Sequence, residues 1–486
     1  MTNPLYTEAL DLLSRKLLED EAQIGVEFPY VTGPSGAWET MPACVSAGYT
    51  GTAWSHGNWF CGFWVGLLFA AYLHTGDART RWIAEERLRL VAVRAEDGNT
   101  HDIGFIFYSS AKVAFHVTGD PAHRALALQA ADRLRKRTVV TDLGSYISAW
   151  GKLTDPRGRR SSAIDTMANI PLLYWAAPEA DDDSFRLAGE AHALTTQRAF
   201  LRADDSTFHA VEYALPEGER SRGFTFQGYA DDSCWSRGQA WAIYGFVATY
   251  AATGKPAYLA QAERLAAYWF RRVGDDFVPY WDFDDPAIPH APRDSAAAAI
   301  TASALLDLAH LHPDPVSASL WRSKAEATLD LLCRDYLARD AAHRGLLTHG
   351  CYSKPHGIGT DAAVLFGDFY FVEALCTAVM PGRFKPLPAC PHGRREAWCS
   401  GLVPLDRGLM GWGQALDRPA RRHLWRGDLY YESESFARRV KRVRRAAFKR
   451  GFPRSIASRL TRLCVRGCHR RSGGSLLWWS ANRPAR

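Results

Sequence analysis

Polar and aromatic residues gather in short motifs, most of them at the entry to an apolar run. They are Trp59 in NWFCGFW, His101 and Asp102 in NTHDIGF, Trp150 in ISAWGK, Asp165 in SSAIDTMANIPLLYW, His209 in TFHAV, Gln227 in FTFQG, and Arg237 with Trp241 in CWSRGQAW. Carboxylates move protons and aromatic planes stack on the apolar faces of pyranoses, so this mixture suits a sugar site. Taken singly, the same residues have plainer roles. Asp102 and Asp165 each stand where an N-cap would satisfy the free amides of a helix start, with Ser161 and Ser162 as other caps for the second helix. His101 and His209 read as surface or satisfied core residues, Trp59, Trp150 and Trp241 as packing, and Arg237 as a helix-start ion pair. Recurrence at corresponding ends of several helical units favours a site.

Those units form a repeat. GFWVGLLFAAYLHTGD ends at Asp77, GFIFYSSAKVAFHVTGD at Asp120 and GQAWAIYGFVATYAATGK at Lys255. Each predicts an aromatic-rich helix of about four turns stopped by a left-handed glycine. Gly76 and Gly119 lie 43 residues apart, and Gly119 to Gly254 spans 135, close to three such periods. Further helix ends near Pro178, Pro313 and Pro381 bring the set to six. More polar amphipathic helices follow the stops, as in RTRWIAEERLRLVAV and KPAYLAQAERLAAYWFRRV. Six hairpins of one apolar and one amphipathic helix predict an all-α (α/α)6 barrel; an open solenoid would have more uniform repeats. In a closed double ring, the loops entering the inner helices converge at one mouth.

The 486 residues carry 59 Lys/Arg against 52 Asp/Glu, and the balance is uneven. Residues 382–486 hold 25 basic and 6 acidic side chains, leaving residues 1–381 acidic overall. The barrel is therefore expected over 1–381, followed by an unassigned, disordered basic tail over 382–486. Within that tail FARRVKRVRRAAFKR is the stretch able to bind nucleic acid or an anionic membrane. A hydrophobic content of 47% with 12% aromatics excludes a disordered chain as a whole. No apolar run reaches the roughly 18 residues of a membrane span. Ten cysteines, six of them spread from Cys44 to Cys376, form no dense disulfide framework. The expectation is a cytoplasmic protein with reduced thiols, monomeric or weakly dimeric, with no membrane partner and no nucleic acid on the barrel. HExxH, paired CxxC, EF-hand, phosphate-loop and GxSxG patterns are absent, and Cys464, Cys468 and His469 fall in the tail, so neither a metal nor a cofactor is expected.

From about Leu10 to Leu375 the sequence resembles glycoside hydrolase family 88, the unsaturated glucuronyl hydrolases. HDIGFIFYSSAK, IDTMANIPLLYWA, CWSRGQAWAIYGF, VPYWDF, PRDSAAAAITASALL and GDFYFVEAL carry the resemblance. It implies an (α/α)6 barrel that removes a terminal 4,5-unsaturated uronic acid from oligosaccharides left by polysaccharide lyases. It further implies Asp165 as general acid/base, Asp102 as a second essential carboxylate, and His101, Trp59, Trp150, His209, Gln227, Arg237 and Trp241 as holders of the sugar or its carboxylate. Family 105, acting on unsaturated rhamnogalacturonan fragments, typically has RGNGW where this chain has RGQAW, and stands as the alternative. A carbohydrate-binding barrel without catalysis is another, although binding alone needs no paired acids. Relatives acting on sulfated fragments resemble Ser-x-x-Ser-x-Lys at the loop HGCYSKPHG; here Gly350, Ser353 and Pro355 occupy those places, with Lys354 shifted by one. Only one of the three places matches, so the loop leaves sulfation preference open, while Ser353 and Lys354 remain candidates to meet a substrate group, Lys354 an anionic one.

Overall fold

Glycine followed by aspartate makes the tightest turns of the molecule. In the computed structural model, which describes residues 3–44 and 58–388, Gly76 and Gly119 adopt φ of 73° and 71° and donate their amides to Tyr72 and Phe115. Asp77 and Asp120, directly after them, accept from the amides of Arg79 and Ala122 and so cap the next helix. One helix ends and its antiparallel partner begins within two residues. This end of the molecule has no room for long loops.

In chain order the helices are α1 (Pro4–Glu21), α2 (Cys61–Thr75), α3 (Ala78–Val91), α4 (Ile103–Ser109), α5 (Ala111–Thr118), α6 (Pro121–Lys136), the short α7 (Pro156–Arg160), α8 (Thr166–Asn169), α9 (Pro171–Ala180), α10 (Ser184–Ala199), α11 (Ser236–Thr253), α12 (Pro256–Val273), α13 (Ser295–Leu311), α14 (Pro315–Leu331) and α15 (Leu365–Val379). The inner ring is α2, α4 with α5, α8 with α9, α11, α13 and α15; it closes where α15 packs on α2. The outer ring is α1, α3, α6, α10, α12 and α14. The expected (α/α)6 barrel is present. Its outer ring begins with the N-terminal helix α1 and needs no outer helix after α15.

Composition decides which ring a helix joins. All of α13 except Asp307 and His310 is buried, whereas α12 buries one stripe through Tyr258, Leu259, Ala262, Leu265, Ala266 and Trp269. Inner helices also approach closely. A Cβ on Gly62 would stand 2.1 Å from the Ile106 carbonyl oxygen, and one on Gly66 2.5 Å from that of Ser109. Two inner helices expected to run unbroken are interrupted. Ser110 leaves helical geometry at φ −111°, ψ −85°, and the hydroxyls of Ser109 and Ser110 bond back to the carbonyls of Phe105 and Ile106 at 2.7 and 2.5 Å. Pro171, lacking an amide proton, separates α8 from α9.

The opposite mouth carries the long connections, and these hold short strands that the helical period did not reveal. β1 (Phe28–Thr32) pairs with β2 (Trp38–Met41), and β3 (Thr138–Val140) with β4 (Ser145–Ile147). β5 (Ser161–Ala163), β6 (Ala210–Tyr213) and β7 (Arg220–Phe224) form an antiparallel sheet, and β8 (Gly350–Ser353) pairs with β9 (Ile358–Ala362). Among the described residues Cys61, Cys234, Cys333, Cys351 and Cys376 are buried thiols. No described helix is long and apolar enough to cross a membrane.

The expected boundary at residues 381/382 is too early. Phe384 and Lys385 are buried, and the Lys385 ammonium contacts Asp307 at 2.9 Å and Glu373 at 3.4 Å. Burial alone would lower its pKa, yet the two carboxylates hold it above the ordinary lysine value. The basic stretch FARRVKRVRRAAFKR, and the rest of the tail beyond Pro388, lie outside the described residues. A chain ending at Gly382 should therefore unfold at a lower urea concentration than one ending at Pro388, a loss of about 3 kcal/mol in stability, because the buried Glu373 and the half-buried Asp307 lose their cation. Coincident midpoints would show that Lys385 contributes nothing to the fold.

Candidate active site

The N-terminal ends of the inner helices all point to the mouth with the long loops. Asp102 and Asp165 occupy the caps of α4 and α8, but neither side chain bonds to its helix's amides. The capping role open to them in the sequence is thus not the one they take. Asp102 accepts from the Thr100 hydroxyl at 2.7 Å and faces His101 Nε2 at 3.3 Å. Asp165 Oδ2 is buried with no hydrogen-bond partner among the described residues, 3.9 Å from His209 Nε2.

Sheet register brings Asp165 and His209 together. β5 and β6 pair Ala163 with Ala210, and the Ile164 amide donates to the His209 carbonyl at 2.9 Å. His209 Nδ1 meets the Thr225 hydroxyl at 2.8 Å, and its ring lies between Phe226 and Trp235, with centroids 4.1 and 4.4 Å away. On the other side the His101 amide donates to Ala149, and His101 Nδ1 meets the Thr166 hydroxyl at 2.6 Å. Trp150 stands edge-on to His101 and to Phe226.

Burial sets the electrostatics. It pushes Asp165 up to about 7, aided by the negative charge of Asp102 and opposed by Arg237. Burial also raises Asp102, to about 6, against the Thr100 hydrogen bond. The histidines move oppositely: burial, then Arg237, lowers His209 to about 3, and burial with Arg137 holds His101 well below its ordinary value. At neutral pH both imidazoles are uncharged. Two carboxyl groups with raised affinity for protons are therefore close enough to act on one another, beside histidines flanked by aromatic rings.

The remaining sequence candidates divide. Trp59 stacks on Phe366 and points its Nε1 at the Tyr352 hydroxyl, 3.4 Å away, while Gln227 follows Phe226 and is half-buried. Trp241 is fully buried against Phe105 and Tyr370; its Nε1 has no partner among the described residues. Arg237 is the ion pair that its position suggested. Its guanidinium bonds Asp294 at 2.6 Å, the Cys351 carbonyl at 2.6 Å and the Tyr352 carbonyl at 2.5 Å, so it clamps β8. Ser353 bonds His356 Nδ1 at 2.8 Å. Lys354 does not stand ready for an anion: its ammonium is paired with Asp285 at 2.6 Å and lies over the Trp281 ring.

Sequence reasoning passed over Tyr352, Trp235, Phe226 and Asp294. Burial raises the Tyr352 phenol, Trp59 and Arg237 oppose this, and the charges of Asp102 and Asp165 push it further, which sets Tyr352 among the site's groups. Tyr352 and Asp294 both lay inside the motifs HGCYSKPHG and PRDSAAAAITASALL, but a partner 57 residues from Arg237 leaves no local spacing to read.

No family model matches the sequence. Over 325 residues it is 39% identical to the unsaturated glucuronyl hydrolase of Bacillus sp. (strain GL1), a match covering 65% of this chain and 85% of that protein. It is 32% identical to the unsaturated chondroitin disaccharide hydrolase of Streptococcus pyogenes serotype M1, covering 65% and 80%. The crystal structure of the Bacillus sp. GL1 unsaturated glucuronyl hydrolase, described as responsible for the degradation of glycosaminoglycan, superposes with a TM-score of 0.70 at 33% identity, over 80% of this chain and 100% of that one. Barrel, loop motifs and sequence identity thus agree, and the chain belongs to the unsaturated glucuronyl hydrolase family of glycoside hydrolases.

Proposed function

We propose that this enzyme hydrolyses the terminal 4,5-unsaturated uronic acid from lyase-generated oligosaccharides of the glycosaminoglycan kind, with Asp165 as the acid/base and Asp102 as its tuning partner. The observation that carries this reading is the pair itself: two carboxyl groups at helix caps they do not use, both with raised proton affinity. An unsaturated uronate is a vinyl ether. Protonated Asp165 delivers its proton to carbon 4, leaving an oxocarbenium-like centre at carbon 5. Water adds at carbon 5 as the Asp165 carboxylate takes one of its protons, which restores the acid and yields a hemiketal. The hemiketal opens to a ketone at carbon 5, carbon 1 becomes a hemiacetal, and that centre expels the remaining sugar.

In this scheme no residue forms a bond to the sugar. Trp59, Trp150 and Gln227 hold the ring, and the uncharged His101 and His209 supply hydrogen bonds. Arg237 and Trp241 act from behind, the first by clamping β8 with its Tyr352 and the second by packing beneath Phe105. Lys354, paired with Asp285, favours an aglycone without sulfate. The RGQAW motif supports a glucuronyl over a rhamnogalacturonyl hydrolase, and the buried thiols Cys61, Cys234, Cys333, Cys351 and Cys376 fit a reducing cytoplasm.

Asp165→Asn should lower kcat by at least about 100-fold while the unsaturated disaccharide still binds, since the amide keeps the shape but exchanges no proton. A rate within a few-fold of wild type would remove Asp165 from the role. Because the charge of Asp102 raises the pKa of Asp165, Asp102→Asn should lower it. The alkaline limb of the pH–rate profile, placed near the Asp165 value of about 7 in the wild type, should then move to lower pH; an unmoved or raised limb would break the proposed coupling. Asp285→Asn should release Lys354, raising kcat/KM for a sulfated unsaturated disaccharide relative to its unsulfated counterpart. An unchanged ratio would mean that the ion pair has no part in selectivity.

A further inference from the structure

The second mouth of the barrel, at the C-terminal ends of the inner helices, contains a cavity of about 310 Å³ that the reaction above does not use. Lys112 of α5 lines it and is only 2% exposed. Its ammonium lies over the Tyr108 ring, 4.3 Å from the centroid, and has no hydrogen-bond acceptor among the described residues. Asp307, which also lines the cavity, gives one carboxylate oxygen to Lys385, while its Oδ1 is buried without a partner among the described residues. Glu373, deeper in, is already satisfied by Ser303, Tyr244 and Lys385. The lining thus holds both unmet donors and an unmet acceptor, together with the rings of Tyr108, Tyr174, Trp175 and Tyr244.

Such a combination limits what can enter. Hydrocarbon would leave Lys112 and Asp307 unsatisfied. A cation is disfavoured because lysines already neutralise the carboxylates. An anion is disfavoured too, since two ammonium groups, Lys112 and Lys385, balance two carboxylates, Asp307 and Glu373, and an added charge would be buried without a counterion. A neutral ring bearing hydroxyls meets each demand: one oxygen accepts from Lys112, one hydroxyl donates to Asp307 Oδ1, and the apolar face lies on an aromatic plane. We infer that this cavity is a second carbohydrate site, distinct from the mouth holding Asp102 and Asp165, that takes one neutral hexopyranose. Lys112 is the donor that recognises it, and Pro386–Pro388 form part of its rim.

Calorimetric titration of the full chain with D-glucose and with D-galactose tests the assignment, with sodium D-glucuronate as the charged comparator. At least one neutral sugar should bind, and bind more tightly than glucuronate. Lys112→Met should weaken that binding at least about tenfold by removing the donors. Ala248→Phe, which fills the cavity from α11, should do the same, and in both variants hydrolysis of an unsaturated disaccharide should stay within about twofold of wild type. Thermal melts identify a variant that fails to fold, and the two substitutions lie on different helices, so one remains informative. No heat with either sugar, equal affinity in the wild type and the folded variants, or competition between the sugar and the unsaturated disaccharide would each overturn the assignment. The binding result does not depend on which reaction the first mouth catalyses.

Discussion

Desolvation of a carboxyl group is the constraint on which the active mouth is built. A helix N-terminus ordinarily favours a carboxylate through its free amides and its dipole. Asp102 and Asp165 sit at such ends, yet both turn away from the amides, and burial outweighs the dipole. The choice has a stability consequence. Folding raises the proton affinity of Asp165, so its contribution to stability is present below the unfolded value of 3.8 and is lost as pH rises through about 7. A protein that leaves Asp165 Oδ2 unpartnered near neutral pH gives up stability at that position. It gains an acid that still holds its proton where an ordinary aspartate would have released it.

Around that pair the architecture separates two tasks. Gly-Asp turns close one mouth with the fewest residues that can reverse a helix, and the length removed there is spent on the other mouth, where strands hold the side chains. Asp165 and His209 belong to different hairpins of the barrel, and the β5–β6 register brings them together. Arg237 and Asp294, fully buried, do the same for β8 and Tyr352. Inner helices supply the fixed points, and short sheets supply the aim.

Much of this was legible in the sequence because it is periodic or local. The repeat of apolar helices ended by Gly76, Gly119 and Gly254 fixes the ring, and the motifs at their starts bring His101, Asp102, Asp165 and His209 to one place. What stayed hidden is whatever depends on distant pairing. The close approaches at Gly62, Gly66 and Gly245 are set by backbone on neighbouring inner helices, at Ile106, Ser109 and Met167. Lys354 looked like a free cation because Asp285 lies 69 residues away. Lys385 looked like the start of a polar tail because its partners, Asp307 and Glu373, sit on two separate inner helices.

That last pairing also explains why the two mouths differ in chemistry although the same helices build both. At the mouth holding Asp102 and Asp165, no lysine among the described residues pairs with either acid; Arg237, which acts on Asp165, is committed to Asp294 and to backbone carbonyls, and Arg94, which acts on Asp102, to Asp97 and to backbone carbonyls. The charge of Arg237 lowers Asp165 only against the larger effect of burial. At the far mouth Lys385 meets its carboxylates directly, and opposite charges offset one another. A barrel that placed a lysine within reach of Asp165 would hold that carboxyl ionised and remove its proton at working pH. Keeping the cations at the far end, or engaged with other partners, is thus a condition for Asp165 to keep its proton.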